Sequence, residues 1–274
     1  MEKQDLRVSI IQAPLEWNDL KANLKYFADR IKKLKGSTDL IVLPEMFGTG
    51  FITDVALIHE TMDGQTFKWM KATAMAVNAV VVGSIALKED NNYFNRLIWM
   101  RPDGSHEQYD KRHLFRMGDE HLKYTAGKER LITELKGWKV MPLVCYDLRF
   151  PVWSKNRLLN DEYEYDIAIY VANWPASRSY AWRTLLSARA IENQVFCIGV
   201  NRIGDDGKGI PHKGGSVILD FKGKLIKCCK DNEPEVITET LTYNGLADFR
   251  ERFRVALDWD EFQFSANPLV KPVS

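Results

Sequence analysis

Between Val140 and Pro151 the chain reads VMPLVCYDLRFP, and this stretch limits the possible folds more tightly than any other. The apolar, β-branched run Val140–Val144 has the length of a buried strand and demands structure packed on both faces of its sheet. The run stops at Cys145, where a polar turn begins. The carboxyl end of a buried strand is where open α/β sheets hold their ligands. Taken alone, Cys145 is equally a small core residue, which is the commoner fate of a free cysteine. What separates the two readings is the company Cys145 keeps.

The rest of the chain alternates strand and helix patterns before running into hairpins. Leu6–Gln12 reads as a first strand, and Asn18 as the N-cap of a helix reaching about Lys35, with Leu20, Leu24, Phe27, Ile31 and Leu34 on one face and Gly36 as its stop. Asp39–Leu43 is a second strand closed by Pro44, and Glu45 follows at once. A Gly-rich loop, a helix over Phe67–Val77 and strands over Val80–Ile85 and Tyr93–Met100 come next. The RPDG turn pairs the last of these with His106–Tyr109, and Lys111 comes just after it. From His113 to Gly127 the chain lacks periodicity, and a connection of that length is usually functional. Beyond Cys145 the pattern predicts a short helix over Val152–Leu159, a strand over Ile167–Val171, a helix over Tyr180–Asn193 and a strand over Val195–Asn201. Antiparallel strands turned at Lys222-Gly223 and a strand over Glu235–Leu241 complete it. The expected class is α/β with mixed sheets, as one main domain over residues 1–245 and a tail over 246–274.

Charge and composition exclude more than they assign. Lys and Arg total 38 against 37 acidic residues, so no whole-molecule field draws nucleic acid or anionic membrane. No apolar run is long enough to span a bilayer and no secretory signal opens the chain, which predicts a cytoplasmic protein. Cys145, Cys197, Cys228 and Cys229 show neither zinc-ligand nor disulfide spacing, so no metal and no cofactor is expected.

Glu45, Lys111 and Cys145 each lie just past an expected strand, so neighbouring strands would bring them to one sheet edge. Singly, the Glu and the Lys are ordinary solvated loop residues. Jointly they complete a chemistry: a thiol needs a base to become a nucleophile, a carboxylate serves as that base, and an ammonium stabilises the oxyanion on an attacked carbonyl. A histidine base drawn from His113, His121 or His212 is the rival arrangement, although none sits in a known pattern around Cys145. A protein of this fold that binds without turnover is the rival of another class.

The motifs LPEMF, YDKRHLF and VCYDLRFP, in that order, resemble the nitrilase superfamily of carbon–nitrogen hydrolases and, through KRHLF and CYDLRFPVW, its ω-amidase branch. The likeness runs from SIIQAP through ARAIENQ to GGSVILDFKGKLI. The resemblance implies an αββα sandwich, a homodimer formed through helical faces, and a Glu-Lys-Cys triad. It places the general base on Glu45, the oxyanion lysine on Lys111 and the nucleophile on Cys145, with Tyr146 N–H completing the oxyanion hole. A second glutamate falls on Glu120, with Glu107 and Glu129 less well placed. Phe47, Phe115 and Trp174 come near the substrate, and Arg116, Arg149 and Arg178 are candidates to hold a substrate carboxylate, Arg149 being equally suited to a structural pair with Asp147. The implied substrates are short carboxylate-bearing amides such as 2-oxoglutaramate. Nitriles, N-carbamoyl compounds and other amides share the same chemistry, since pocket shape decides among them.

Overall fold

The computed structural model describes residues 3–57 and 60–263. Its first half runs β1 (Leu6–Gln12), α1 (Leu20–Ile31), β2 (Leu40–Val42), α2 (Gln65–Val77), β3 (Val80–Glu89), β4 (Asn92–Met100) and β5 (His106–Asp110). The short helix α3 (Glu120–Lys123) leads to β6 (Thr133–Leu135), β7 (Trp138–Val144), α4 (Pro151–Ser154), β8 (Leu158–Leu159), β9 (Glu162–Tyr163), β10 (Ile167–Ala172), α5 (Ser179–Asn193) and β11 (Phe196–Asn201). The remainder comprises β12 (Ile203–Asp205), β13 (Pro211–Lys213), β14 (Val217–Leu219), β15 (Leu225–Cys228), β16 (Glu235–Leu241) and α6 (Tyr243–Arg252).

Two six-stranded mixed sheets form, in the orders β16-β1-β2-β3-β4-β5 and β15-β14-β11-β10-β7-β6. Each has three parallel strands at its heart, β1-β2-β3 in one and β7-β10-β11 in the other, with antiparallel strands outside. The αββα sandwich expected from the motifs is the observed fold. Alternation along the first sheet explains the layering, because successive side chains leave opposite faces. Ile11, Ile41, Leu43, Val81, Ile98 and Met100 pack with Leu24, Phe27, Ile31, Met70 and Ala74 of α1 and α2. Their neighbours Val8, Ile10, Leu40, Val42, Val80, Val82, Leu97 and Trp99 join the second sheet's Trp138, Val140, Ile167 and Ile169 in one core. Trp182, Leu186 and Ala190 of α5 belong to that same core. Among the described residues, no helix is long and apolar enough to cross a membrane.

Several local expectations are corrected. The N-cap of α1 is Asp19, whose carboxylate accepts from Ala22 N–H at 2.9 Å, and Asn18 instead takes a left-handed turn at φ +52°. The helix expected over Val152–Leu159 is one turn only. Asn156 ends it, donating its backbone N–H to Asn193 Oδ1 at 2.8 Å and its amide to Tyr165 O at 2.9 Å, and the β8–β9 hairpin follows. Tertiary hydrogen bonds to a buried asparagine outweigh local helix preference there. The strands β15 and β16, adjacent in sequence, go to different sheets. Trp259 in the aromatic tail packs on Tyr163 of its own chain, with Lys155 Nζ 3.6 Å from the Trp259 ring centroid. Phe264 and the residues after it lie outside the described residues.

Candidate active site

Four polar side chains meet where β2, β5 and β7 end. Glu45, two residues past Leu43, is fully buried, and so are Glu120 and, at 1% exposure, Lys111. Lys111 Nζ lies 2.9 Å from Glu45 Oε1 and 2.9 and 3.1 Å from the two Glu120 oxygens. The second Glu45 oxygen accepts from Asn173 N–H at 2.8 Å, and the Asn173 amide donates to Glu45 O at 2.6 Å. Glu120 Oε2 accepts from Phe115 N–H at 2.6 Å. The Cys145 thiol donates to Asn173 O at 3.9 Å, and Glu45 is close enough to act on it electrostatically.

Backbone strain sits at each entry to this cluster. Cys145 has φ +43°, Met46 beside Glu45 has φ +43°, and Asp119 before Glu120 has φ +56°. Such conformations cost about 1–3 kcal/mol each for residues with a side chain and persist only where the surroundings over-determine them. At the Cys145 elbow the surroundings are legible. Asp147, one turn on, accepts from Val144 N–H at 3.1 Å, Tyr109 OH at 2.8 Å, and His113 N–H and ring nitrogen at 2.9 and 2.8 Å. One buried carboxylate thus ties the turn bearing the thiol to the loop that follows Lys111. His113 is consumed in this buttress, its ring stacked 3.8 Å from that of Phe150.

Electrostatics decide where protons rest. Glu45 and Glu120 are two carboxyl groups set against the one ammonium of Lys111, all three buried. Burial alone would lower the Lys111 ammonium, but Glu120, Glu45 and Cys145 outweigh it and hold the group well above the usual lysine value. Burial, reinforced by Glu45, pushes the Cys145 thiol well up, against the opposing pull of Lys111. Burial likewise raises Glu120 despite Lys111. Burial at this position thus favours the thiol over the thiolate.

The cluster opens on a cavity of about 170 Å³ lined by Glu45, Lys111, Cys145, Tyr146 and Asn173. Phe115, Trp174, Arg149 and Arg178 line it too, as the sequence suggested. The Arg149 guanidinium lies 4.9 Å from the Trp174 ring centroid and that of Arg178 lies 5.3 Å from Phe115, and neither forms an ion pair with a described residue. Asp147 is thus not the partner of Arg149. Arg116 is exposed and outside the lining. Phe47 is fully buried elsewhere, packed between Phe27 and Trp69, where the bare backbone of Gly83 leaves room for its ring. Glu107 is taken up by Arg101 at 2.6 Å. His121 does not line the cavity, whereas His212 does, with its ring nitrogen 2.9 Å from Ile210 O and its basicity lowered by burial and by Arg202.

Sequence reasoning missed Asn95 and Asn173, and it missed the far wall. That wall is Phe51, Trp17 and the β12–β13 hairpin, which supplies Asp206, Lys208, Ile210 and His212. Gly207 lies flat against Trp17, since a Cβ there would fall 2.2 Å from the indole. The glycines flanking this short hairpin were the available signal.

The sequence model of the carbon–nitrogen hydrolase family matches residues 7–251. The Escherichia coli K12 protein "Omega-amidase YafV" is 46% identical over 258 residues, covering 94% of this chain and 98% of that one. The Bacillus subtilis "2-oxoglutaramate amidase" is 33% identical over 224 residues, covering 80% of this chain and 84% of the relative. A crystal structure of a CN-hydrolase superfamily protein from Xanthomonas campestris, with an arsenic adduct in its active site, superposes with a TM-score of 0.94 at 43% identity, covering 96% of this chain and 100% of that one. On this footing the chain belongs to the carbon–nitrogen hydrolase family, the nitrilase superfamily that its three strand-end motifs resemble.

Proposed function

We propose that the protein is an ω-amidase, hydrolysing the terminal amide of small carboxylate-bearing amides such as 2-oxoglutaramate to the acid and ammonia. The observation that carries this reading is the meeting of Glu45, Lys111 and Cys145 at a cavity whose walls hold two guanidiniums that form no ion pair with any described residue. It is supported by the relatives named omega-amidase and 2-oxoglutaramate amidase. Arg149 and Arg178 suit a carboxylate, and an unpaired cation facing a cavity favours an anionic ligand.

In the reaction, Cys145 Sγ bonds to the amide carbon while its proton passes to Glu45, and the carbonyl electron pair moves onto oxygen. Lys111 Nζ and Tyr146 N–H hold that oxyanion. Glu45 then returns the proton to nitrogen, the C–N bond breaks, and ammonia leaves a thioester. Water attacks the thioester with Glu45 again as base, and the released sulfur takes the proton back. Concerted proton removal suits a thiol whose burial disfavours a free thiolate. Glu120 holds Lys111 together with Glu45.

The same proposal includes a cytoplasmic homodimer. Its support is apolar surface on the helical layer, where Tyr180 is 83% and Ile191 56% exposed on α5. Residues 246–274 are proposed as a tail packing on the same or a partner subunit.

The test is ammonia release measured over glutaramate, 2-oxoglutaramate, a matched nitrile and an N-carbamoyl amino acid. We expect the two carboxylate-bearing amides to lead in kcat/KM, and Cys145→Ala to abolish release while leaving the melting temperature unchanged. Preference for the nitrile or the carbamoyl compound overturns the substrate reading. Ammonia release by the alanine variant at a tenth of the parent rate overturns the mechanism.

A further inference from the structure

Asn95 is in the interior of β4, is fully buried, and lies across from Lys111, whose backbone N–H donates to Asn95 O at 3.0 Å. Its single amide nitrogen reaches both carboxylates, at 2.8 Å from Glu45 Oε1 and 3.1 Å from Glu120 Oε1. Lys111 Nζ bridges the same two oxygens at 2.9 and 3.1 Å. One pair of oxygens is thus spanned twice, once by a charged donor and once by a neutral one. The other end of the Asn95 amide, Oδ1, is buried without a hydrogen-bond partner. An orphaned acceptor in the interior costs about 1–3 kcal/mol, so a residue present only to fill space would be better apolar.

We propose that Asn95 is a positioning residue for catalysis: its amide keeps the Glu45 and Glu120 carboxyl groups in place while Lys111 redirects its hydrogen bonding to the oxyanion, so that Glu45 is held where it can take the thiol proton and return it. The inference rests on Glu45 acting as the base. During attack Lys111 must serve the substrate oxygen, and each bond it gives there weakens its hold on the two carboxylates. A lysine alone would leave the two carboxyl groups free to drift. The neutral Asn95 donor has no charge to share with the oxyanion and stays in place throughout. The other titratable groups facing the pair are Lys111, Cys145 and Tyr124, whose hydroxyl is occupied by Ile52 O at 2.6 Å.

The experiment compares the parent protein, Asn95→Leu and Asn95→Asp, with Glu45→Gln as control, in pH profiles of kcat/KM for glutaramate and in thermal melting. Leucine removes the donor and the orphaned acceptor together at similar volume. We expect kcat to fall at least about tenfold with KM changed less than about threefold, and the acid limb to move up by about one pH unit, because carboxylates that lose a donor hold their protons more tightly. Asn95→Asp, which adds a carboxylate in place of the donor, should move the limb further up than leucine does. A drop in kcat with an unmoved acid limb in both variants reduces Asn95 to a structural role and overturns the proposal. Full activity in Asn95→Leu also overturns it. If Glu45→Gln retains turnover, the general-base reading fails instead, and the two failures are thereby told apart.

Discussion

Two charge clusters sit one residue apart on the same pair of strands, and they behave differently. Arg96 and Asp110 face each other across β4 and β5, with Glu89 completing a cation between two carboxylates at 2.7 and 2.9 Å. Lys111, the next residue along, is also a cation between two carboxylates. The charge count is the same, but Glu89 is 47% and Asp110 20% exposed, whereas Glu45 and Glu120 are wholly buried. Water absorbs the surplus negative charge of the first cluster, and the Arg96 pairs pull Glu89 below its usual value. In the second cluster the surplus has nowhere to go, so protons are retained and both Glu120 and the Cys145 thiol move up. The same ions make a clamp where water reaches them and, in the interior, a cluster in which burial raises the neighbouring carboxyl and thiol.

The sharpest break in this comparison is Lys111→Met. Removing the cation leaves two buried carboxylates facing each other, so we expect ammonia release to fall at least about a thousandfold and stability by about 3–5 kcal/mol, measured by calorimetry. Arg178→Gln comes next: KM for glutaramate should rise at least about tenfold while that for an uncharged amide of equal length stays put, and equal changes for both would remove the carboxylate role. Arg96→Met should cost less than Lys111→Met in melting temperature and keep turnover within about tenfold, since its partners reach water. A greater loss from Arg96→Met reverses the ranking on which the comparison stands.

Glu120 supplies a pH test whose sign is fixed. Its carboxyl is raised above the ordinary value of 4.5, so between 4.5 and the raised value the folded protein holds a proton that the unfolded chain releases. Stability therefore declines as pH rises through that window, and Glu120→Gln should flatten this part of the melting-temperature profile. A slope unchanged by the substitution would assign it to another group. The smallest effect is expected of Phe47→Leu, which should lose about 1–2 kcal/mol of stability with KM unaltered.

The contrast between Phe47 and Phe51 shows where reading the chain stops working. Both lie in the same Gly-rich loop, and the left-handed turn at Met46 sends the first toward α1 and α2 and leaves the second on the cavity wall. Nothing in EMFGTGF states that choice, because it is made by Ser84 Oγ capturing Met46 N–H at 2.9 Å and by the space above Gly83. Asn95 and Asn173 escaped notice for a related reason. An asparagine inside or just after an apolar strand carries no motif, and its worth appears only when a carboxylate from a distant strand arrives beside it.

By itself the sequence determined the fold class and which polar residues end its strands. Alternating and continuous apolar runs dictate strands buried on both faces, and a strand that ends abruptly at Glu45, Lys111 or Cys145 leaves its last side chain at the sheet edge. Only the tertiary structure decided the protonation, the donors and the cavity wall. Those follow from the distances among residues far apart in the chain, because the energy of a buried charge depends on which dipoles and counter-charges surround it and not on its neighbours along the backbone.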